Sequence, residues 1–149
     1  MVKTSNTAKT KKEKGHIFRY KTMNQTKNIS YRKTEIANRF LSELDKHIDD
    51  LKKSKVETSY KINEFAEKLF INPNHLSDTI KEVLGKSPCG IYEEKLAEAA
   101  KELLTNPGKS ISDIAYTLSY DHSNFTKFFK RLTGFTPKEY RNQNLSFTN

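Results

Sequence analysis

A unit stated twice constrains this chain more than any other feature. The first copy runs from Ile62 to Pro88 through Phe65, Ala66, Leu69, Ile71, Leu76, Ile80, Lys81 and Gly85. Moving 49 positions along gives Ile111, Ile114, Ala115, Leu118, Tyr120, Phe125, Phe129, Lys130, Gly134 and Pro137, with no insertion. Apolar residues, glycine and proline each fall on their own kind, which chance rarely produces over so many positions. Each copy reads as a short apolar-periodic helix with a small residue (Ala66, Ala115) for close approach. A turn follows, then a second helix stopped by a glycine able to take a left-handed cap.

Two short helices joined tightly, the second with a polar outer face, are the sequence form of a helix-turn-helix. The helices are expected at about Ile62–Leu69 and Pro73–Leu84 in the first copy, with the turn at Phe70–Pro73 and Asn72 as N-cap. In the second copy they are expected at about Ile111–Leu118 and Ser123–Leu132, with Ser110 and Asp121 or His122 as caps. Between the copies, Pro88 opens a linking helix that Asn106-Pro107-Gly108 ends. Its sixteen or so residues would span about 24 Å at the usual rise. A final short helix starts near Pro137 and passes through Tyr140. Ahead of the repeat, Ile36, Phe40, Leu41, Leu44, Ile48 and Leu51 form one stripe on a helix from about Thr34 to Lys53. That stripe either docks on the domain or pairs two copies of the chain as a dimer. With no hairpin turn signal and no sustained alternation, the fold class is all-α: two helix-turn-helix subdomains of the homeodomain-like kind, joined by a long linking helix, about seven helices in all.

Charge separates the chain into two parts. The net charge is +9, and residues 1–33 hold ten Lys and Arg against the single acid Glu13, so the remainder is neutral on balance. Residues 1–33 are read as a basic disordered tail and 34–149 as the folded domain, since a Lys/Thr/Asn/Ser-rich stretch buries too little to offset chain entropy. Within the domain, residues 105–149 carry six bases and three acids. A basic arm on a neutral body suits a polyanion, because each neutralised phosphate releases counterions.

Enzyme chemistry is not expected, and neither a cofactor nor a metal. His16, His47, His75 and His122 are scattered, without the spacing of a zinc site. Gly85-Lys86-Ser87 and Gly108-Lys109-Ser110 resemble the end of a phosphate-binding loop, but Ile80 and Leu103 stand where its earlier glycine belongs. Cys89 is the only cysteine, so no intramolecular disulfide forms; it is read as a small packed side chain. No apolar run approaches a membrane span, Met1 reads as a true start, and the cytoplasm is the expected location.

The polar faces of the two second helices are the candidate reading surfaces. In the first copy, between Leu76, Ile80 and Val83, they are Asn74, His75, Ser77, Asp78 and Lys81. In the second, between Phe125, Phe129 and Leu132, they are Ser123, Asn124, Thr126, Lys127 and Lys130, with His122 leading in. Near the start of a helix inserted in a major groove, such groups reach base edges. Lys127 shares a repeat position with Asp78; the lysine suits guanine or phosphate, whereas the aspartate is repelled by phosphate. Lys130, Arg131, Lys138 and Arg141 are the expected phosphate contacts.

The run from Ile111 through Asp113-Ile114-Ala115, Ser123-Asn124-Phe125, Phe128-Phe129-Lys130-Arg131 and Gly134-Phe135-Thr136-Pro137 to Arg141 resembles the C-terminal signature of AraC/XylS-type bacterial transcription regulators. His75-Leu76-Ser77 and Gly85-Lys86-Ser87-Pro88 resemble that family's first helix-turn-helix, and the likeness covers roughly Ile36 to Arg141. It implies a seven-helix domain whose two recognition helices enter successive major grooves of double-stranded DNA. One chain would then read an asymmetric site as a monomer, with RNA polymerase a further partner. By family position the base-facing residues are Asn74, Ser77 and Asp78, then His122, Ser123 and Lys127; Asp78 and Lys61 depart from the family pattern. Residues 1–33 cannot form the effector domain that many members carry, so the chain resembles short stand-alone members or a fragment of a longer regulator. A rival reading is a protein-interaction module of the same fold that antagonises or assists another regulator without reading DNA.

Overall fold

The computed structural model describes residues 29–146, so the expected tail lies outside them up to residue 28. Tyr31–Lys33, expected in that tail, belong instead to the first helix, where Lys33 pairs with Glu82 at 2.6 Å. Seven helices, and no strand, occur among the described residues: α1 (Tyr31–Lys52), α2 (Ile62–Leu69), α3 (Pro73–Leu84), α4 (Pro88–Leu104), α5 (Ile111–Thr117), α6 (His122–Thr133) and α7 (Pro137–Ser146). Proline begins α3, α4 and α7, where its missing N–H removes a donor that has no intrahelical acceptor.

The chain divides into two units. The first comprises residues through Ser42 together with Ile62–Pro88; the second comprises Glu43–Lys61 and Cys89–Asn149. In the first, the α1 stripe residues Ile36, Phe40 and Leu41 are buried with Phe65, Ala66, Leu69, Leu76 and Ile80. Phe40 and Phe65 meet edge to face, with ring centroids 5.5 Å apart, a geometry that adds electrostatic attraction to the area buried. The second unit buries Leu44, Ile48 and Leu51 from the stripe, Ile91, Leu96 and Leu104 from α4, and Ile114, Phe125 and Phe129 from the repeat. The whole stripe is thus buried within the chain and offers no open seam to a second copy. Its polar member, His47, is 3% exposed. Its Nε2 accepts the Tyr60 N–H at 3.2 Å and lies 3.2 Å from the Tyr92 hydroxyl, while Tyr60 stacks on the ring.

The duplication is present in the backbone bonds as well as in the sequence. Ile71 N–H donates to Ala66 C=O at 3.0 Å, and Tyr120 N–H donates to Ala115 C=O at 2.9 Å. These bonds wrap the last turns of α2 and α5 around a left-handed residue, Phe70 (φ 56°) and Ser119 (φ 64°), in the manner of a Schellman cap. The reading helices then end alike, at Gly85 (φ 73°) and Gly134 (φ 82°), whose N–H groups return to Lys81 and Lys130 carbonyls.

Two further expectations from sequence are corrected. Leu132, placed with the core face of α6, is 36% exposed, and Phe128 is buried in its stead at 4%. The repeat already pairs Phe128 with Thr79, itself 1% exposed, so that position faces inward in both copies. Cys89, taken as a packed side chain, is exposed, on the solvent side of the α4 start where Pro88 and Ile91 are the residues turned inward.

Candidate nucleic-acid interface

Each reading helix begins at a side-chain cap. The Asn72 carboxamide oxygen accepts the N–H groups of Asn74 at 2.9 Å and His75 at 3.3 Å. Asp121 accepts the N–H of Asn124 at 2.9 Å and also bonds the Asn124 side chain. Of the two residues considered for that cap, Asp121 fills the role, and Asn124 is engaged in it. α5 starts from a capping box in which Ser110 and Asp113 satisfy one another's backbone donors. Thr136 and Glu139 form the corresponding pair before α7, at 2.8 and 3.2 Å. These caps occupy otherwise unpaired N–H groups and set where each of these helices begins.

The Asn124 N–H bond, with further help from the Asn124 side chain, holds the Asp121 carboxyl below its ordinary value of 3.8. A carboxyl lowered in the folded state stabilises above its unfolded value and loses that contribution as pH falls through the folded one. Acidification below 3.8 should therefore lower the melting temperature of the protein more than that of Asp121→Asn, which caps without titrating. Parallel melts across that range would refute the assignment if the two lost stability equally.

On α6, His122, Ser123, Lys127 and Lys130 are exposed, while Phe125, Phe128 and Phe129 are buried. Tyr120 stacks on Phe128 at 4.9 Å, and burial pushes its phenol above the usual value. The His122 ring is oriented by Ser112, with Nδ1 3.1 Å from the hydroxyl. Thr126 is turned back to the His122 carbonyl at 3.0 Å. On α3, Asn74, His75, Asp78 and Lys81 are exposed and Ser77 is half-buried, with Leu76, Thr79, Ile80 and Val83 turned inward. Of the residues expected to face bases, all but the half-buried Ser77 are exposed on their own helix.

The four expected phosphate contacts divide. Lys130 and Lys138 are exposed and make no ion pair within the described residues. Arg131 forms a fork with Glu93, at 2.9 and 3.2 Å, which raises its pKa and leaves 58% of its side chain exposed. Arg141 donates to the carbonyls of Leu104 at 3.0 Å and Lys109 at 2.7 Å, closing the loop between α4 and α5. Sequence reasoning did not anticipate either engagement. Glu93, on the linking helix 38 positions before Arg131, carried no local signal. Among the described residues no group of three or more His, Cys, Asp or Glu could hold a metal ion, and no helix is long and apolar enough to cross a membrane.

Twice-repeated helix-turn-helix units, each ending in a capped helix with a polar outer face, define a tandem helix-turn-helix domain of the kind that enters DNA grooves. A helix-turn-helix domain family matches residues 65–143, and the chain belongs to that family, of the AraC type. It is 36% identical over 91 residues to the uncharacterized HTH-type transcriptional regulator YtdP of Bacillus subtilis, covering 60% of this chain and 12% of that protein. To YobQ of the same organism, also an uncharacterized HTH-type transcriptional regulator, it is 30% identical over 82 residues, covering 54% of this chain and 34% of the relative. The chain thus spans about a third or less of the length of these two curated relatives. Among solved structures it is similar to the C-terminal domain of AraT, a response regulator from Geobacillus stearothermophilus. The identity is 27% and the TM-score 0.64, over 78% of this chain and 88% of that one.

Proposed function

We propose that the chain is a sequence-specific, double-stranded DNA-binding transcription regulator whose two recognition helices, α3 and α6, enter successive major grooves. The observation that carries this reading is the solvent face of α6. There His122, Ser123 and Lys127 stand exposed on a helix fixed at one end by the Asp121 cap and at the other by Gly134. A lysine free of ion pairs at that place can donate to guanine O6 and N7. The two relatives' designation as HTH-type transcriptional regulators supports the same reading.

Within it, α6 is the stronger reader and α3 the weaker, because Asp78 repels the backbone that Lys127 attracts. Asn74, Ser77 and Lys81 supply the hydrogen-bonding groups of α3. Lys130 and Lys138 contact phosphates; Arg131 shares its exposed edge between Glu93 and phosphate, and Arg141 acts as a brace. The protein works as a monomer at the nucleoid in the cytoplasm, with RNA polymerase as its protein partner.

Selection of bound duplexes from a random pool tests the reading, and recovery of no preferred sequence would end it. Lys127→Ala should then cost about 1–3 kcal/mol of discrimination at one base position. Lys138→Ala should weaken all sequences alike and reduce the salt slope by about one. Competition titrations with matched and mismatched duplexes measure both.

A further inference from the structure

The duplication provides an internal control for the turn between the two helices of each unit. Phe70 and Ser119 hold the same repeat position, the same left-handed backbone and equivalent hydrogen bonds. The fold therefore asks for a left-handed residue there and places no demand on its side chain. Ser119 meets that demand with a small group whose hydroxyl donates to the Glu57 carbonyl at 2.8 Å. Phe70 instead projects an aromatic ring into solvent, 94% exposed, from a conformation that bulky residues seldom adopt. Neither packing nor turn geometry accounts for the ring, which would gain contacts if a groove beside it received a partner's apolar side chain.

Such a groove lies beside it, within the first unit, with a volume of about 500 Å³. Ile36 and Leu69 form its apolar floor, and Ile71 and Phe70 continue it outward. Arg32 and Arg39 border it against a single acid, Glu35. Arg39 is held in place by donating to the Leu69 carbonyl at 3.2 Å, whereas Arg32 is exposed and makes no ion pair among the described residues.

We propose that this groove docks an acidic segment of another protein, which sets an apolar side chain against Phe70 and Ile71 and a carboxylate against Arg32. Charge complementarity selects that occupant: two guanidinium groups outweigh one carboxylate, and paired anions fit their fork geometry. The chain's own tail carries eight bases against one acid over residues 1–28, so like charge disfavours it. A DNA backbone would leave the apolar floor unused and would face Glu35. The proposal is independent of base reading by α6.

The test pans a random peptide pool displayed on phage against the full chain. Duplex affinity, melting temperature and sedimentation are followed in parallel. Recovered peptides should place Asp or Glu beside Leu or Phe. They should bind about tenfold more weakly to Phe70→Ser and to Arg32→Glu, the scale of a lost anchor, while the melting temperature stays unchanged. Phe70→Ser copies the second unit's turn, so loss of folding is not expected. Recovery of basic peptides, no enrichment, or binding to the two variants as tight as to the unaltered chain would overturn the proposal. It would also fall if Phe70→Ser weakened duplex binding about tenfold while no peptide was recovered, which would mark a nucleic-acid surface. Binding of a peptide of residues 14–25 would reassign the groove to the tail, and dimers abolished by Phe70→Ser would reassign it to a second copy.

Discussion

Duplex affinity is expected to drop about a thousandfold as salt rises from about 50 to about 200 mM, the response of a protein that neutralises roughly six phosphates. The candidate cations come from three sources. Lys127, Lys130 and Lys138 are exposed around α6, Lys81 is exposed on α3, and the first 28 residues bring eight more bases. The folded domain has little net charge of its own, so long-range attraction would fall mainly to the N-terminal segment and short-range contact to α6 and its surroundings. Replacing Lys9, Lys11, Lys12 and Lys14 by glutamine should then flatten the salt dependence while preserving the order of preferred sequences. Lys127→Ala should do the reverse, disturbing that order with little change of slope. Affinities measured over a salt series with one strong and one scrambled duplex separate the two effects, and a salt-independent affinity would defeat the electrostatic account.

The second large effect concerns stability. Phe129→Ala should destabilise the protein by about 3–5 kcal/mol, the usual cost of emptying a buried aromatic site. Phe129 is fully buried, with its ring 6.0 Å from Phe125 and 5.4 Å from Tyr140, so the cavity would open between α6 and α7. The equivalent position in the first copy is Ile80, also fully buried, and Ile80→Val should cost only about 0.5–1.5 kcal/mol. Denaturant melts followed by circular dichroism provide the comparison, and a Phe129→Ala cost below that of Ile80→Val would contradict the packing described.

Both effects follow from features whose legibility in the sequence differs. The helices, their glycine stops and the Asn72 and Ser110 caps could be read because each depends on chemistry confined to a few neighbouring residues. The inward face of α3 was equally plain, since Leu76, Ile80 and Val83 recur at helical spacing. On α6 the same template misassigned Leu132, because three phenylalanines compete for the interior and Phe128 and Phe129 leave no need for a further apolar group at that angle. The engagements of Arg131 and Arg141 were hidden for another reason. Their partners, Glu93 and the Leu104 carbonyl, lie 38 and 37 positions away, and nothing local distinguishes an arginine that will meet a carboxylate from one that will meet solvent. Phe70 stood in plain view opposite Ser119 in the repeat, yet the contrast acquires meaning only once both turns are seen to share one backbone.

Arg141 also imposes an order on how the second unit is completed. The ribosome releases residues in sequence, so the carbonyls of Leu104 and Lys109 emerge well before the guanidinium that will clasp them. Until the last helix arrives, the loop that launches α5 lacks its fastener, and the newborn second unit has to wait for its own C-terminal end while the first can already close.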